Sequence, residues 1–346
     1  MIKRCLLILA IVCAIGTRAN AQGRTLDIYF VDTEGGAATL IVTPTNESIL
    51  IDTGNPGTRD ANRIAKVAKG VAHLTTIDHL ITTHWHLDHY GGVEELNKIL
   101  PIRHFYDRGI PAKTLDDPEH FPALIAAYRK TSKSASKTVK AGDTLLSRSI
   151  NGKGLTLKCL VASGKTIPDN SNAKENPFAQ GENPMAIDTS DNAQSLGVVL
   201  QYGGFRFLDM GDLTWNVEYK LVSPTDKVGH IDVYQATHHG LEISNNPALI
   251  NTVQPRVAIF NNGPHKGAHP SVVATLRKVP GIEAIYQQHR NLDSKPEDNV
   301  PSEYIANEKQ ECDAEYIHVS VAPDGKSYSV TIGSKGTPKR YQTRTH

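Results

Sequence analysis

Histidine and aspartate side chains are concentrated in one short stretch of the chain. Three histidines and one aspartate fall within six consecutive positions, at His84, His86, Asp88 and His89. Because side chains alternate faces along an extended segment, His84 and His86 are expected to point the same way. Neutral imidazole and carboxylate are ligands that zinc and neighbouring divalent metals prefer. The stretch therefore predicts a metal centre, and four such groups this close together favour two ions.

Two later segments carry the same residue types. Asp212 follows an apolar, strand-like run and Gly211, which permits a sharp turn. Asp209 is the alternative carboxylate, although it could instead lie within the strand. His238 and His239 follow a second apolar run. Adjacent residues of an extended chain point apart, so one of these two histidines is predicted to be a ligand and the other a supporting group or proton donor.

The elements that must position these groups are predicted from hydrophobic periodicity. Strands alternate with helices, which indicates an α/β layered fold. The predicted strands span residues 26–31, 38–43, 48–51, 79–83, 155–162, 196–202, 205–210, 231–236, 256–260, 316–321 and 327–332, and the predicted helices span 59–72, 93–100, 118–132, 247–253 and 270–279. An insertion over 109–140 and a long loop over 164–191 are expected to shape the pocket.

The N-terminus has the pattern of a targeting segment. Lys3 and Arg4 precede an apolar run over 5–15, and Ala19-Asn20-Ala21 is a small-x-small cleavage site. We therefore expect a signal peptide over 1–21, a mature chain starting near Gln22, and a secreted or periplasmic protein; an uncleaved anchor is the alternative. No later segment is long and apolar enough to cross a membrane, so no integral membrane contact is expected after cleavage.

Net charge limits the classes of binding partner that can be predicted, and cysteine content bears on disulfide formation. The formal net charge is +1, so no specific nucleic-acid partner is predicted. Cleavage of the leader would remove Cys5 and Cys13 and leave Cys159 and Cys312 in a compartment that permits disulfides. A disulfide between these two is predicted to tie the C-terminal extension to the core, and two buried thiols are the alternative.

The run His84-x-His86-x-Asp88-His89 resembles the signature of the metallo-β-lactamase-fold hydrolases. The order and spacing of the motifs most resemble the branch that includes competence-associated DNA-uptake hydrolases and phosphorylcholine esterases. Besides the run itself, the matching segments are residues 30–36, 49–54, 207–212 and 238–240.

The resemblance implies a four-layer αββα sandwich with the metals at one edge, between the two sheets. A final hairpin around Pro323-Asp324-Gly325 would form a short C-terminal β-hairpin extension. We therefore expect a metallo-hydrolase domain over 22–290 and an extension over 291–346 that packs on the same domain.

The same resemblance implies a ligand set. One ion would be held by His84 and His86. The other would be held by Asp88, His89 and one histidine of the later pair. The cofactor is predicted to be zinc, as one or two ions, with manganese possible.

Asp212 fits the carboxylate that bridges the two ions. By resemblance to the phosphorylcholine esterases, His239 is expected to be the ligand and His238 the assisting group; the spacing does not choose between them. Many members supply a third histidine to the first ion, but residues 191–195 contain Asn192 and no histidine. The DNA-uptake branch also lacks it, so the first ion is expected to have fewer protein ligands, with water or Asn192 nearby. Lys266 and His269 are candidate contacts to an anionic substrate, and a solvated loop is the alternative.

These expectations lead to a function. A bound divalent ion can lower the pKa of its water to about 7, and Asp88 would orient the resulting hydroxide. We expect an exported metal-dependent hydrolase of a phosphoester, preferably a phosphodiester, acting on an anionic small molecule or polymer. A lactone, β-lactam or ester hydrolase of the same fold is one alternative. A non-catalytic envelope binding protein with a structural metal is the other.

Overall fold

The computed structural model describes residues 23–114, 116–150, 152–169, 172–181 and 184–344. The predicted signal peptide lies outside these ranges. Within them, no helix combines the length and the apolar character that crossing a bilayer requires.

Strands and helices alternate along most of the described chain. The strands are β1 (Leu26–Phe30), β2 (Thr39–Val42), β3 (Ser48–Ile51), β4 (Ile77–Thr82), β5 (Ile102–Asp107), β6 (Lys137–Thr138), β7 (Thr144–Ile150), β8 (Lys153–Ala162), β9 (Lys165–Thr166), β10 (Gly197–Tyr202), β11 (Phe205–Asp209), β12 (Val233–Gln235), β13 (Val257–Phe260), β14 (Ala284–His289), β15 (Ile305–Asn307), β16 (Ile317–Val321), β17 (Ser327–Ile332) and β18 (Lys339–Gln342). The helices are α1 (Thr58–Gly70), α2 (Leu87–Tyr90), α3 (Val93–Ile99), α4 (Phe121–Thr131), α5 (Trp215–Lys220), α6 (Pro247–Val253) and α7 (Pro270–Arg277).

The strands form two mixed sheets. The first has the order β18-β17-β16-β1-β2-β3-β4-β5-β6, and the second has the order β15-β14-β13-β12-β11-β10-β8-β7, with β9 paired to β8. The first sheet is parallel from β3 to β6, and the second from β11 to β15. The carboxyl ends of these parallel strands carry the loops that hold the candidate ligands, as is usual for open α/β sheets.

Three apolar clusters define four layers. Side chains from both sheets, including Phe30 and Phe207, fill the space between them. On the outer face of the first sheet, α1, α3 and α4 bury residues such as Ile64, Leu96 and Tyr128. On the outer face of the second sheet, α5, α6 and α7 bury Leu221, Ile250 and Leu276. This is the αββα sandwich expected from the sequence.

Polar contacts join the two sheets directly. The Thr39 hydroxyl donates to Gln235 Oε1 at 2.7 Å, and the Leu196 amide donates to Thr83 O at 2.9 Å. Asp32 Oδ1 lies 2.7 Å from His289 Nε2, and both residues are buried. These contacts fix the relative position of the loops that meet at the sheet edge.

Most predicted elements are present within two or three residues of their expected ends. The C-terminal hairpin forms as β16 and β17, and β18 extends it. Because β16 pairs with β1, these strands continue the first sheet. The division at residue 290 stays a prediction. The strands β5, β7 and β14 were not predicted, since their apolar residues lack a clear period of two.

The predicted disulfide is wrong. Cys159 and Cys312, the two cysteines that the structure describes, are both free. Cys159 is buried in the core, with its thiol 3.3 Å from Val161 O. Cys312 instead lies 3.8 Å from Asp32 Oδ2. The C-terminal segment is held by strand pairing rather than by a covalent bridge.

Candidate metal centre

Three loops bring the candidate ligands together. The first follows β4 and carries His84 and His86, then enters the single turn of α2, which contains Asp88 and His89. The second loop follows β11 and carries Asp212, and the third follows β12 and carries the later histidine pair.

Gly211 lets the second loop approach the first. Its φ is +54°, and a Cβ atom there would lie 2.8 Å from the Cβ of Thr83. A side chain at 211 would therefore separate the two loops.

Asp212 lies at the centre of the cluster. Its carboxylate oxygens lie 3.2 Å from the Nε2 of His89, 3.3 Å from that of His239, 3.4 Å from that of His238 and 4.0 Å from that of His84. One carboxylate therefore faces four imidazoles, as a bridging ligand would require. Its role as a ligand stays a prediction.

Asp88 marks the second half of the cluster. Its Oδ2 lies 3.6 Å from His239 Nε2 and 3.8 Å from His89 Nε2, and it accepts a 2.5 Å hydrogen bond from Lys266 Nζ. Within this cluster, two groups have ligand atoms that all lie within 4.8 Å of one another, namely His84–His89–Asp212 and Asp88–His89–His239. The structure thus separates two overlapping donor groups that share His89.

His238 and His239 do not lie on an extended chain, so the expectation that they point apart is wrong. Their φ angles are +54° and +55°, in the left-handed region. This backbone turns both rings toward Asp212. The Ala268 amide donates to His239 O at 2.8 Å, and a Cβ atom at Gly267 would lie 2.2 Å from the same oxygen. The turn is therefore packed tightly against the loop before α7.

The outward nitrogens of His84 and His89 are fixed by one network. His89 Nδ1 donates to Asp52 Oδ2 at 2.6 Å. The Thr83 hydroxyl donates its only proton to Asp52 Oδ2 at 2.7 Å, so at 3.1 Å it must accept from His84 Nδ1. Each imidazole, when neutral, therefore carries its lone pair on Nε2, the nitrogen that faces the cluster.

His238 and His239 also hold their Nδ1–H groups on outer acceptors. His239 Nδ1 donates to Asn261 O at 3.2 Å, because a carbonyl can only accept. The Ser244 hydroxyl donates to Leu213 O at 2.7 Å, so at 3.2 Å it accepts from His238 Nδ1. Neutral His238 and His239 therefore also turn a bare Nε2 toward Asp212.

His86 is held by a carboxylate that sequence analysis missed. Its Nε2 contacts Asp116 Oδ2, and its Nδ1 lies 3.0 Å from His84 Nε2. Asp116 also accepts from the Asp191 amide at 2.9 Å. The insertion over 109–140 thus supplies the outer partner of a candidate ligand. No spacing in the sequence linked Asp116 to His86, because thirty residues separate them.

Burial and neighbouring carboxylates have opposite effects on the pKa values of the histidines in this cluster. Burial lowers the pKa of His84 well below its ordinary value, and it lowers the pKa of His238 to about 4. Burial would also lower the pKa of His89, but the carboxylates of Asp212 and Asp52 outweigh it and raise that pKa well above its ordinary value. The buried carboxylates therefore favour positive charge at the centre, supplied by a proton or by a cation that replaces it.

The donor set fits a divalent metal. The Nε2 atoms of His89 and His239 are buried and make no hydrogen bond. When neutral, the imidazoles of His84, His89, His238 and His239 present bare Nε2 atoms, and each holds its N–H on an outer acceptor, the arrangement found around metal-bound histidine. Buried polar atoms without partners are costly, so a ligand that satisfies them is expected.

Three other predicted residues have different surroundings. Asn192 Nδ2 lies 3.5 Å from His238 Nε2, at the edge of the cluster. His269 caps α7, where its described contacts are with Ser271 and Glu242 rather than with the ligands. Asp209 accepts from the Gly211 amide at 3.0 Å, and burial raises its pKa to about 7. The structure therefore places Asp212, and not Asp209, at the cluster.

Part of this chain is similar in sequence to known proteins. Residues 31–150 match the family model described as the metallo-beta-lactamase superfamily. The ComE operon protein 3 of Bacillus subtilis (strain 168) is 27% identical over 203 residues, which are 58% of this chain and 22% of that protein. The chain thus spans about a fifth of that relative's length.

Two solved structures also match part of this chain. CmlA, a diiron beta-hydroxylase from Streptomyces venezuelae, is 16% identical with a TM-score of 0.42, over 76% of this chain and 52% of that chain. A metallo-beta-lactamase with a HARLDQ motif from Cronobacter sakazakii is 14% identical with a TM-score of 0.34, over 60% and 69%.

Proposed function

Because residues 31–150 match the model of the metallo-beta-lactamase superfamily, we propose that this chain is an exported metal-dependent hydrolase of phosphoesters, and specifically of phosphodiesters. The observation that carries the proposal is the set of four imidazoles, those of His84, His89, His238 and His239, whose Nε2 atoms converge around Asp212. The ammonium group of Lys266 beside Asp88 favours an anionic substrate. The proposed export rests on the predicted signal peptide alone.

The residues divide into two ligand groups. His84 Nε2 and His86 Nδ1 would hold one cation, and Asp88, His89 and His239 would hold the other. Asp212 would contact both, and zinc is the preferred metal, with manganese as the alternative. The cations would supply Lewis acidity, which lowers the pKa of water and polarises a phosphoryl oxygen.

His238 has a different task in this proposal. Its Nε2 carries a lone pair when the ring is neutral, because Nδ1 then holds the N–H on Ser244. The atom lies 3.4 Å from Asp212 and 3.5 Å from Asn192 Nδ2. It is therefore placed to accept a proton from the attacking water. Ser244 holds the opposite ring nitrogen and keeps the tautomer fixed.

Asp88 and Lys266 orient the reactants. Asp88 Oδ2 faces the inward nitrogens of His89 and His239, so it can accept a hydrogen bond from the attacking water. Lys266 Nζ is within reach of the same carboxylate and can contact a non-bridging phosphoryl oxygen. Asn192 offers an amide donor at the cluster edge.

The substrate class is tested with three reporter compounds on the zinc- and manganese-loaded mature protein. We expect hydrolysis of bis-p-nitrophenyl phosphate to exceed that of nitrocefin and of an acyl lactone. A preference for either carbonyl substrate would overturn the phosphodiester proposal while leaving the hydrolase assignment intact. Absence of turnover on all three, with metal bound, would favour a binding protein.

A matched pair of variants tests the site itself. Asp212→Asn should lower kcat by 10³-fold or more and reduce the metal content measured by elemental analysis, because the central carboxylate is lost. Asp209→Asn is the control, since it is an equally buried aspartate three residues away that lies outside the cluster. Full activity in Asp212→Asn would show that the site is elsewhere.

A further inference from the structure

Exposed apolar side chains are concentrated in one groove. Met185 is 38% exposed, Ile187 is 86% exposed and Ile243 is 44% exposed, and all three line a single cleft of about 480 Å³ together with Trp215. Large apolar side chains this exposed are rare elsewhere in the described chain, where Phe178 and Leu292 are the others. Exposed apolar patches of this kind commonly mark ligand-binding grooves.

The groove lies close to the candidate metal centre along the chain, because each of its walls is within four residues of a residue that forms or supports that centre. Trp215 lies three positions after Asp212. Ile243 directly precedes Ser244, whose hydroxyl holds His238. Asp188, in a third wall, precedes Asn192 by four positions. The same three segments of the chain therefore form the groove and carry residues that form or support the centre.

The groove is held in shape by backbone contacts. The Met185 amide donates to Asn216 Oδ1 at 3.0 Å, and Asn216 Nδ2 donates back to Met185 O at 2.8 Å. The Trp215 amide donates to Ile243 O at 3.1 Å. These bonds fix three walls that come from distant parts of the chain, so the groove is largely formed before a ligand arrives, as is usual for binding pockets.

We propose that this groove binds the apolar part of the substrate, so that the enzyme acts on phosphodiesters with an alkyl or aryl ester group. The inference rests on the proposed function and narrows its substrate class. The phosphoryl group would lie near Lys266 and Asp88, and the apolar group would lie against Trp215, Ile243 and Ile187. A cleft of about 480 Å³ falls within the range of pockets for small organic ligands.

The test is a series of alkyl p-nitrophenyl phosphates from methyl to octyl. In the wild-type protein, kcat/KM should rise about twofold to fourfold for each added methylene until the groove is filled, because each buried methylene is stabilised by the hydrophobic effect. Ile187→Ser and Ile243→Ser should halve that gain or reduce it further. Leu292→Ser, an exposed leucine outside the groove, is the matched control and should keep it.

Three outcomes would overturn the inference. Rates that do not depend on chain length in the wild type would exclude an apolar subsite. A gain that persists undiminished in both isoleucine variants would place the subsite elsewhere. Flat rates together with a dimer that Ile187→Ser abolishes in sedimentation velocity would show that a second copy of the chain covers the groove.

A binding measurement distinguishes failure of the groove inference from failure of the proposed function. If no ester is hydrolysed, titration calorimetry compares hexyl phosphate with methyl phosphate on the metal-loaded protein. Tighter binding of the hexyl compound that is lost in Ile187→Ser supports the groove even though the reaction is wrong. Equal binding of both compounds overturns the groove.

Discussion

At the scale of single residues, the chemistry depends on side chains that do not themselves face the cluster. The side chains of Asp52, Thr83 and Ser244 and the backbone carbonyl of Asn261 each accept an outward N–H, and this leaves the inward nitrogens free to bind a cation. Asp116 does the same for His86. Outer partners of metal-bound histidine typically contribute tenfold to a hundredfold in metal affinity.

Asp116→Asn should therefore weaken metal binding. An asparagine can present its amide oxygen to His86, but without the negative charge that makes the imidazole more basic. We expect the metal dissociation constant to rise about 10- to 100-fold, as measured by competition with a chromophoric chelator. Asp117→Asn is the control, because Asp117 contacts His120 instead. Unchanged affinity in Asp116→Asn would show that the contact with His86 is incidental.

Lys266 is expected to influence metal and substrate in opposite directions. Its ammonium group pairs with Asp88, a candidate ligand, so a cation bound there must share that carboxylate. Lys266→Gln should bind a second equivalent of metal about threefold to tenfold more tightly and should raise KM for an anionic diester by a similar factor. Calorimetry and steady-state kinetics measure the two effects. A change in both affinities in the same direction would contradict this assignment.

Sequence analysis identified the inward-facing groups better than the outer ones. The three histidines and the one aspartate of residues 84–89 are close together in the chain, so their convergence could be predicted. Asp116 could not be predicted, because a single contact between residues thirty positions apart leaves no local pattern. Ser244 could not be predicted either, because its contact with His238 depends on the path of the loop between them. The left-handed turn at His238 was also missed, since non-glycine residues rarely adopt positive φ.

At the scale of elements, a buried carboxylate joins α5 to α6. Glu218 is fully buried, and its Oε2 accepts from the Asn246 amide at 2.7 Å, next to the residue that begins α6. Burial raises the pKa of Glu218 to about 7. A carboxyl group whose pKa is higher in the folded state than in the unfolded state favours folding most below the unfolded value, and this contribution is lost as pH rises toward the folded value.

Glu218→Gln should therefore remove part of the pH dependence of stability. Between pH 5 and pH 8, the wild type should lose on the order of 2 kcal/mol that the variant, which cannot ionise, retains. Urea denaturation of both proteins at both pH values, with chelator present, measures the difference. Equal losses in the two proteins would show that the pKa of Glu218 is not raised in the folded state.

Element prediction succeeded where the pattern was strong. The helix α1 buries Ile64, Val67 and Ala68 at helical spacing, and the strands before and after it are short apolar runs. Strands such as β7 were missed because exposed Thr144, Ser147 and Arg148 interrupt the apolar pattern. Their place in the sheet is set by pairing with β8, which is a tertiary effect.

At the scale of the whole molecule, the candidate ligands come from both sheets. The loop after β4 belongs to the first sheet, and Asp212 and His239 follow strands of the second. A cation bound by all of them would link the two halves of the sandwich. The stability of the folded state should therefore depend on metal concentration.

Metal removal is expected to lower the melting temperature of the whole protein. A ligand at 100 times its dissociation constant stabilises the folded state by about 2.7 kcal/mol, which corresponds to roughly 4 °C for a protein of this size. Differential scanning calorimetry with and without chelator measures the change. The difference should largely disappear in Asp212→Asn and persist in Asp209→Asn. An identical melting temperature with and without chelator in the wild type would argue against a cation shared by both sheets.

The close packing of Gly267 against His239 predicts that a missense substitution at position 267 is damaging. A glycine with no chemistry of its own occupies the space that any larger residue would need, 2.2 Å from a carbonyl oxygen. A missense allele at this codon would displace the histidine turn while every coordinating side chain stayed intact. Such an allele should behave in a genetic screen like the loss of a ligand.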